Sequence, residues 1–282
     1  MERAWAIITG ADGGMGSEIT KAVAQAGYRV IMACCNLERA DLVCERLKVE
    51  TGNEEIRVEE LDLASMASVA RFTHRIREQG KHIRLLMNNA GTLETGLHIT
   101  EDGLERTVSV NYVGHYLLTR NLLPLMGEGS RVVNMVSCTY AIGRIDLPDF
   151  FSRGRKGEFW RIPVYGNTKL ALLLFTLDLA RRVQERGIVV NCADPGVVST
   201  DIITMQMWFD PLTDLFFRPL IRTPRQGADT AIHLLLDEET GRRSGTLNVN
   251  SRAKRLTDKY LHHPQMDSLW QATEEIVSPW LQ

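Results

Sequence analysis

The sequence has few of the features that would commit it to a membrane, a metal or a polyanion. No run approaches the roughly 18 consecutive apolar residues of a membrane span, and the opening "MERAWAIITGADGG" carries an acid and a base before a short apolar run, so a signal-peptide core is not expected. Cysteine is sparse and odd in number: Cys34, Cys35, Cys44, Cys138 and Cys192 include no CxxC pair. Adjacent Cys34 and Cys35 would point to opposite faces of a strand, which argues against a disulfide framework or a structural zinc site. The histidines His74, His82, His98, His115 and His233 stand at unrelated spacings, and His262 and His263 sit in a polar tail, so no metal site is expected. The formal net charge is −2 and the cationic residues are scattered, which excludes a nucleic-acid footprint as the main role. Internal repeats, low-complexity tracts and linkers are also missing. These absences together predict a cytoplasmic protein in a reducing setting.

What is present is a regular alternation. Of the 282 residues, 44% are hydrophobic and 24% charged, enough for a full core, and residues 1–282 are expected to form one domain. Short apolar runs ending in Gly, Asn or Asp predict seven strands: "AWAIIT", "RVIMAC", "IRVEELDL", "IRLLMN", "RVVNMVS", "IVVNCA" and "TLNVN". Between the first two, Met15, Ile19, Val23 and Ala26 line one helical face and Gly27 sits where a C-terminal cap belongs. Further helices are predicted over Leu37 to Glu50, Ser65 to Gln79, Glu101 to Met126, Val164 to Arg186 and Pro224 to Asp237. The economical architecture is a three-layer, doubly wound α/β fold, a seven-stranded parallel sheet with helices on both faces. Asp146 to Arg161 and Asp201 to Arg222 break the alternation. Long insertions of this kind tend to be lids or binding segments, and the second reads as a substrate lid or an ordinary packed helix.

Two stretches carry chemistry. "TGADGGMG", Thr9 to Gly16, follows the first strand and opens the first helix, where glycines let the backbone approach a pyrophosphate at the positive helix end. Its GxxxGxG spacing is also compatible with a plain tight turn. In "YGNTK", Tyr165 and Lys169 lie four apart on a helical stretch and share a face. An ammonium beside a phenol of pKa near 10 stabilises phenolate, so the pair is a proton donor with its tuner, or else two surface residues of an amphipathic helix.

These motifs, with "NNAG", "SVNYVGHYLLT", "MVSC" and "DPGVVST", occur in the order found in the short-chain dehydrogenase/reductase superfamily, which the chain resembles from about Trp5 to Lys254. The resemblance implies a Rossmann fold and an NAD(P)-dependent oxidoreductase that interconverts an alcohol and a carbonyl. It assigns Tyr165 as general acid/base, Lys169 as its tuner and a holder of the nicotinamide ribose, Ser137 as a hydrogen-bonding partner of the substrate oxygen, and Asn111 as part of a water-linked proton relay. It places Gly10, Gly14 and Gly16, with Asp12 and Met15, at the pyrophosphate. Asp62 and Leu63 fall at the adenine, Asn89, Ala90 and Gly91 at the adenosine ribose, and Pro195, Gly196, Val198 and Thr200 around the nicotinamide. Blander roles exist for Asp62 as a helix cap, Asn89 as a turn residue and Ser137 as a strand-end hydroxyl. Cys138 follows the serine, yet no base stands near it in sequence to make it a nucleophile.

Within the superfamily, "VNYVGHYLLT" and "RTPRQGADTAIHLL" followed by "SGTLNVN" are most similar to the retinol dehydrogenase and protochlorophyllide-reductase-like branch. This implies a bulky apolar substrate of retinoid or steroid type, with Met205 to Leu220 as an apolar lid; membrane contact is not expected, since that segment lacks a Lys/Arg-rich face. The 2′ end of the cofactor site has neither usual selector. Cys35 stands where an arginine for the NADP phosphate is expected, and Cys34 where NAD-specific relatives place an aspartate. Arg39, one turn into the next helix, is within reach of a phosphate, so NADP is favoured over NAD. The resemblance also implies a homo-oligomer, dimer or tetramer, through the helices holding Asn111 and the Tyr165/Lys169 pair. The rival readings are a nucleotide-binding regulator of the same fold without turnover, and a sugar-nucleotide epimerase, for which too few residues follow "YGNTK".

Overall fold

The computed structural model describes residues 4–147, 149–152, 160–196, 198 and 222–282. Its strands are β1 (Trp5–Thr9), β2 (Arg29–Cys34), β3 (Ile56–Glu60), β4 (Ile83–Asn88), β5 (Arg131–Met135), β6 (Val189–Asp194), β7 (Leu247–Val249) and β8 (Arg252–Lys254). The helices are α1 (Gly14–Gln25), α2 (Leu37–Thr51), α3 (Met66–Glu78), α4 (Arg106–Val108), α5 (Gly114–Leu122), α6 (Asp149–Ser152), α7 (Arg161–Arg182), α8 (Pro224–Leu236), α9 (Asp258–Leu261) and α10 (Met266–Val277). One sheet joins all the strands in the order β3-β2-β1-β4-β5-β6-β7-β8.

The strands read as nearly continuous apolar runs because both faces of the sheet are covered. Alternate residues sort between two cores: Ile7, Ile31, Leu86, Val132 and Val190 face α3, α5 and α7. Their neighbours Ile8, Val30, Met32, Met87 and Val133 share the core that also holds Ile19 and Val23 of α1 and Leu234 of α8. Caps set the helix limits. Asn36 accepts from Arg39 N at 3.0 Å to open α2, Ser65 opens α3, and Thr223 with Gln226 forms a reciprocal capping box on α8.

Three expectations need correction. The sheet has eight strands, not seven. β7 turns through Asn250 and Ser251, both at positive φ (53° and 57°), into β8, which pairs antiparallel with it. β8 was illegible because its three residues are all exposed and show no apolar alternation. The third strand stops at Glu60, so Asp62 and Leu63 lie in the turn beyond it. The helix expected from Glu101 begins at Arg106: Glu105, wholly buried, accepts from Thr107 N and Val108 N at 2.9 Å each and caps it there. After α4 the helix passes through a π turn, Ser109–Val113, centred on Asn111. Such turns recur at functional sites because they re-aim side chains and free backbone groups.

Of the two irregular segments, Asp146 to Arg161 contributes the short α6, whose Phe150 and Phe151 are buried in the core. Residues 201–221, with Met205 to Leu220, lie outside the described residues. The outer side of α5 and α7, where a partner subunit was expected, carries α10 of the same chain: Trp270 stacks on Phe175, and Tyr112 Oη is 2.9 Å from Thr273 Oγ1.

Candidate active site

Strand order reverses at β1, whose two neighbours are β2 and β4. In an open α/β sheet the crevice at the carboxyl ends of such strands is where a ligand fits. A cleft of about 590 Å³ opens there, lined by Gly10, Asp12, Gly14, Met15 and Gly16 from the glycine loop, Cys35 and Arg39, Asp62 and Leu63, and Asn89, Ala90 and Gly91.

The glycine loop is built by close approach. Gly10 has φ +60°, and a Cβ on Gly16 would stand 2.0 Å from the Gly10 carbonyl oxygen, so no larger residue fits there without moving the turn. Thr9 ties the loop to the next strand: its Oγ1 accepts from Asn89 N at 2.9 Å and Ala90 N at 3.0 Å, and stands 3.0 Å from His115 Nε2. Asn89 braces the same turn by donating to the carbonyls of Thr9 (3.0 Å) and Gly10 (3.3 Å). Its Oδ1 is buried without a partner among the described residues. An orphaned acceptor of this kind is costly unless a ligand satisfies it. A glycine cradle at the start of α1, an unpartnered acceptor and a long cleft together fit a dinucleotide.

At the far end of the cleft, Cys34 is buried and Cys35 exposed, and neither is in a disulfide. Burial and the neighbouring Asp12 push the Cys34 thiol up to about 12, so it packs as a small inert residue. Arg39 Nε stands 3.5 Å from Asp12 Oδ2. Asp62 Oδ1 accepts from Ala64 N at 2.8 Å, a local turn, while Ser65 rather than Asp62 caps α3.

The four expected catalytic residues converge from three elements. The Asn111 amide is fully held, accepting from Thr92 N at 2.7 Å and donating to Thr92 O at 2.9 Å and Thr168 Oγ1 at 3.2 Å. Gly91 lies between this amide and Lys169: a Cβ there would be 3.4 Å from Asn111 Oδ1 and 3.7 Å from Lys169 Nζ. Ser137, two residues beyond β5, caps a 3₁₀ turn, Cys138–Ile142, that packs hard on α7, since a Cβ on Gly143 would meet the Gly166 carbonyl oxygen at 2.4 Å. This approach sets the Ser137 side chain near the Tyr165 hydroxyl, where its influence lowers the phenol pKa.

Lys169 is buried and donates to the Met135 carbonyl at 2.8 Å, with Nζ 5.3 Å from the centroid of the Tyr165 ring. Desolvation pulls the lysine down to about 8, against the opposing charge of Asp194. The expected lowering of the phenol by the ammonium is not what dominates. Burial pushes half-buried Tyr165 above the usual phenol value; the neighbouring Ser137 hydroxyl opposes this, and the charge of Asp194 adds to it. Pro195 and Gly196 follow the end of β6, with Gly196 at φ +73°, and Val198 pairs with Arg222 ahead of α8. Thr200 lies outside the described residues.

Sequence reasoning missed several contributors. Arg106 and Val110 line the cleft from the turns just ahead of Asn111. Pro224 closes it over Gly14, where a Cβ would meet the proline ring at 3.2 Å. Asp194, the first residue of "DPGVVST", is buried (3% exposed) beside the tyrosine and lysine. A helical spacing of one and five from Asn111 was a signal for Val110 and Arg106; for Pro224 there was none.

The comparisons with known proteins agree with this geometry. A family model described as short chain dehydrogenase matches residues 4–148 and 152–207. Human retinol dehydrogenase 11 is 36% identical over 238 residues, covering 82% of this chain and 72% of that protein. Mouse polyprenol dehydrogenase is 36% identical over 237 residues, covering 81% and 70%. Among solved structures, an uncharacterized protein from Mycobacterium paratuberculosis superposes with a TM-score of 0.77 at 25% identity, covering 98% of this chain and 93% of that one. A blue fluorescent protein from a metagenomic library in complex with NADPH superposes at 0.69 and 24% identity, covering 87% and 95%. The chain belongs to the short-chain dehydrogenase family, in the branch that contains the retinol dehydrogenases, and is an NAD(P)-dependent oxidoreductase.

Proposed function

We propose that this enzyme interconverts an alcohol and a carbonyl on a bulky apolar substrate, with Tyr165 as the general acid/base. The observation that carries this reading is the convergence of Tyr165, Ser137 and Lys169 beside the glycine-lined cleft. A nicotinamide bound in that cleft supplies hydride-transfer chemistry. The chain's own residues do the rest. The Tyr165 phenol gives a proton to the carbonyl oxygen in reduction, its phenolate takes one from the alcohol in oxidation, and the Ser137 hydroxyl holds that oxygen in place. Lys169 supplies positive charge beside the phenol, and Asn111 fixes the backbone of Thr92 at the inner end of the cleft. Gly10, Gly14 and Gly16 would hold the pyrophosphate on free backbone N–H groups.

The names of the relatives, retinol and polyprenol dehydrogenases, support a long apolar alcohol or aldehyde, and exposed Ile142 and Trp160 flank the serine turn and the start of α7. NADP is the favoured cofactor because Arg39 stands at the 2′ end and the sequence offers no acid at the end of β2. Five unpaired cysteines support a cytoplasmic setting, and among the described residues no helix is long and apolar enough to cross a membrane. The test is turnover of retinoid, steroid and polyprenyl aldehydes with NADPH and NADH, comparing wild type with Tyr165→Phe. Loss of at least about a hundredfold is expected in the variant; equal turnover by both proteins would overturn the mechanism.

A further inference from the structure

The carboxylate of Asp194 is one residue beyond the strand register that holds the lysine. Lys169 Nζ bonds the Met135 carbonyl, Met135 pairs with Ala193 across β5 and β6, and Val136 N donates to Ala193 O at 2.9 Å. Asp194 follows directly. Its side chain shares a face with Cys192, two residues earlier on β6, and Cys192 packs in the core on the α7 side. Asp194 therefore points toward the helix that carries Tyr165 and Lys169. Oδ1 accepts from Gly196 N at 3.0 Å, which pins the carboxylate at the strand end.

A second cation acts on the same carboxylate at longer range, from the unexpected strand. Lys254 on β8 pairs with Leu247, which pairs with Cys192, so the ladder sets Lys254 two strands from β6, and the charge of Asp194 raises the lysine. There Lys254 Nζ lies 5.5 Å from the ring centroid of Tyr140. Tyr140 is buried, three residues from Ser137. Among the described residues the groups around the pair are Asp194 and Cys192 on β6, Cys138 after β5, neutral His115 on α5 and, farther off, Lys254 on β8, and Asp194 is the carboxylate among them.

We propose that Asp194 is a positioning residue that holds the Tyr165 and Lys169 pair in its proton-loaded form, phenol and ammonium together, and so sets the pH at which the pair gives up its first proton. This rests on the acid/base role given to Tyr165 above. The electrostatics have one sign for both partners: the negative charge opposes proton loss from the phenol and from the ammonium. Removing that charge therefore lets the first proton leave at lower pH whichever residue gives it up. Removing Lys254 does the reverse, because it unmasks the carboxylate.

The test compares pH profiles of kcat/KM in both directions for wild type, Asp194→Asn, Asp194→Glu and Lys254→Met, with thermal unfolding of each. In Asp194→Asn the limb at which alcohol oxidation rises and carbonyl reduction falls moves down by about one pH unit, a tenfold change in the proton-loaded ratio. Asp194→Glu keeps the wild-type limb, and Lys254→Met moves it slightly up. Opposite movements in two variants do not arise from general loosening of the fold. Lysine methylene NMR of the protein without added cofactor, with Lys169 assigned through Lys169→Arg, gives the same comparison without turnover. A lowered Lys169 titration in Asp194→Asn supports the proposal even if the tested carbonyls are not substrates. Superimposable Lys169 titrations in equally stable proteins would overturn it.

Discussion

The Lys169 ammonium donates to the Met135 carbonyl at 2.8 Å, which fastens the middle of α7 to the end of the central sheet strand β5. The lysine is 2% exposed, so its position is set by one backbone acceptor and by the Tyr165 ring above it. A guanidinium is planar, longer and carries five donors, and this slot has no room to satisfy them. Lys169→Arg should therefore lose roughly a hundredfold in kcat/KM although charge is conserved. Steady-state kinetics on the folded variant check this; near wild-type activity would mean that the site needs positive charge and not this placement.

His115 is buried with Nε2 3.0 Å from Thr9 Oγ1, at the root of the glycine loop. Burial pushes its pKa down to about 3, helped by the charge of Lys169 and opposed by its bond to the Asn111 carbonyl. In the unfolded chain the ring takes a proton near pH 6.5, whereas in the fold it stays neutral. The stability this provides is thus fully present above pH 6.5 and is lost as pH falls toward 3, at about 1.4 kcal/mol per pH unit. Urea unfolding of wild type and His115→Gln at pH 7, 6, 5 and 4 should show the variant losing less stability on acidification. Parallel losses would remove His115 as a source of acid sensitivity.

The parts that could be read from residues alone are those where local pattern and global fold agree. β1, β2 and β4 are apolar runs closed by glycine or asparagine, and the apolar face of α1 stops at Gly27 as its spacing predicts. The cleft was legible for the same reason, since Gly10, Gly16 and Asn89 act through backbone geometry close in sequence to their strands. β8 was not, because its pairing is decided by a two-residue turn and not by its own exposed side chains. The held Asn111 amide and the convergence of Asp194 and Lys254 were also hidden, since each depends on elements brought together only by the sheet order. Tyr165 shows the limit most clearly: four-residue spacing announced a neighbouring ammonium, and burial, which spacing does not reveal, moves the phenol the other way.

The proposed preference for NADP draws on Arg39, whose side chain stands 3.5 Å from that of Asp12 in the lining of the cleft. Arg39 is half-exposed, so this ion pair contributes little to stability. A 2′-phosphate would compete with Asp12 for the guanidinium. Arg39→Ala should weaken NADPH binding about tenfold with little effect on NADH, the value of one charge-assisted hydrogen bond. Asp12→Asn should strengthen NADPH binding by a smaller factor. Titration of cofactor fluorescence with both variants measures this, and an Arg39→Ala protein that binds NADPH as wild type does would place the 2′ contact elsewhere.

Trp270 of α10 joins the C-terminal segment to the two helices that frame the site. Its ring stacks on Phe175 with centroids 5.8 Å apart and meets Tyr116 edge-on at 5.1 Å, and the Arg182 guanidinium lies 4.0 Å from it. Next to it, Glu274 bonds both Tyr116 and Arg120, and Asn121 is held by the backbone of Trp280 and Gln282. Trp270→Ala should cost about 3 kcal/mol and lower Tm by roughly 5 °C. It should also uncover apolar surface on Phe175 and Tyr116, so that sedimentation becomes concentration-dependent in the variant. A stable oligomer of the wild type that is untouched by Trp270→Ala would show that assembly does not depend on the surface that Trp270 covers.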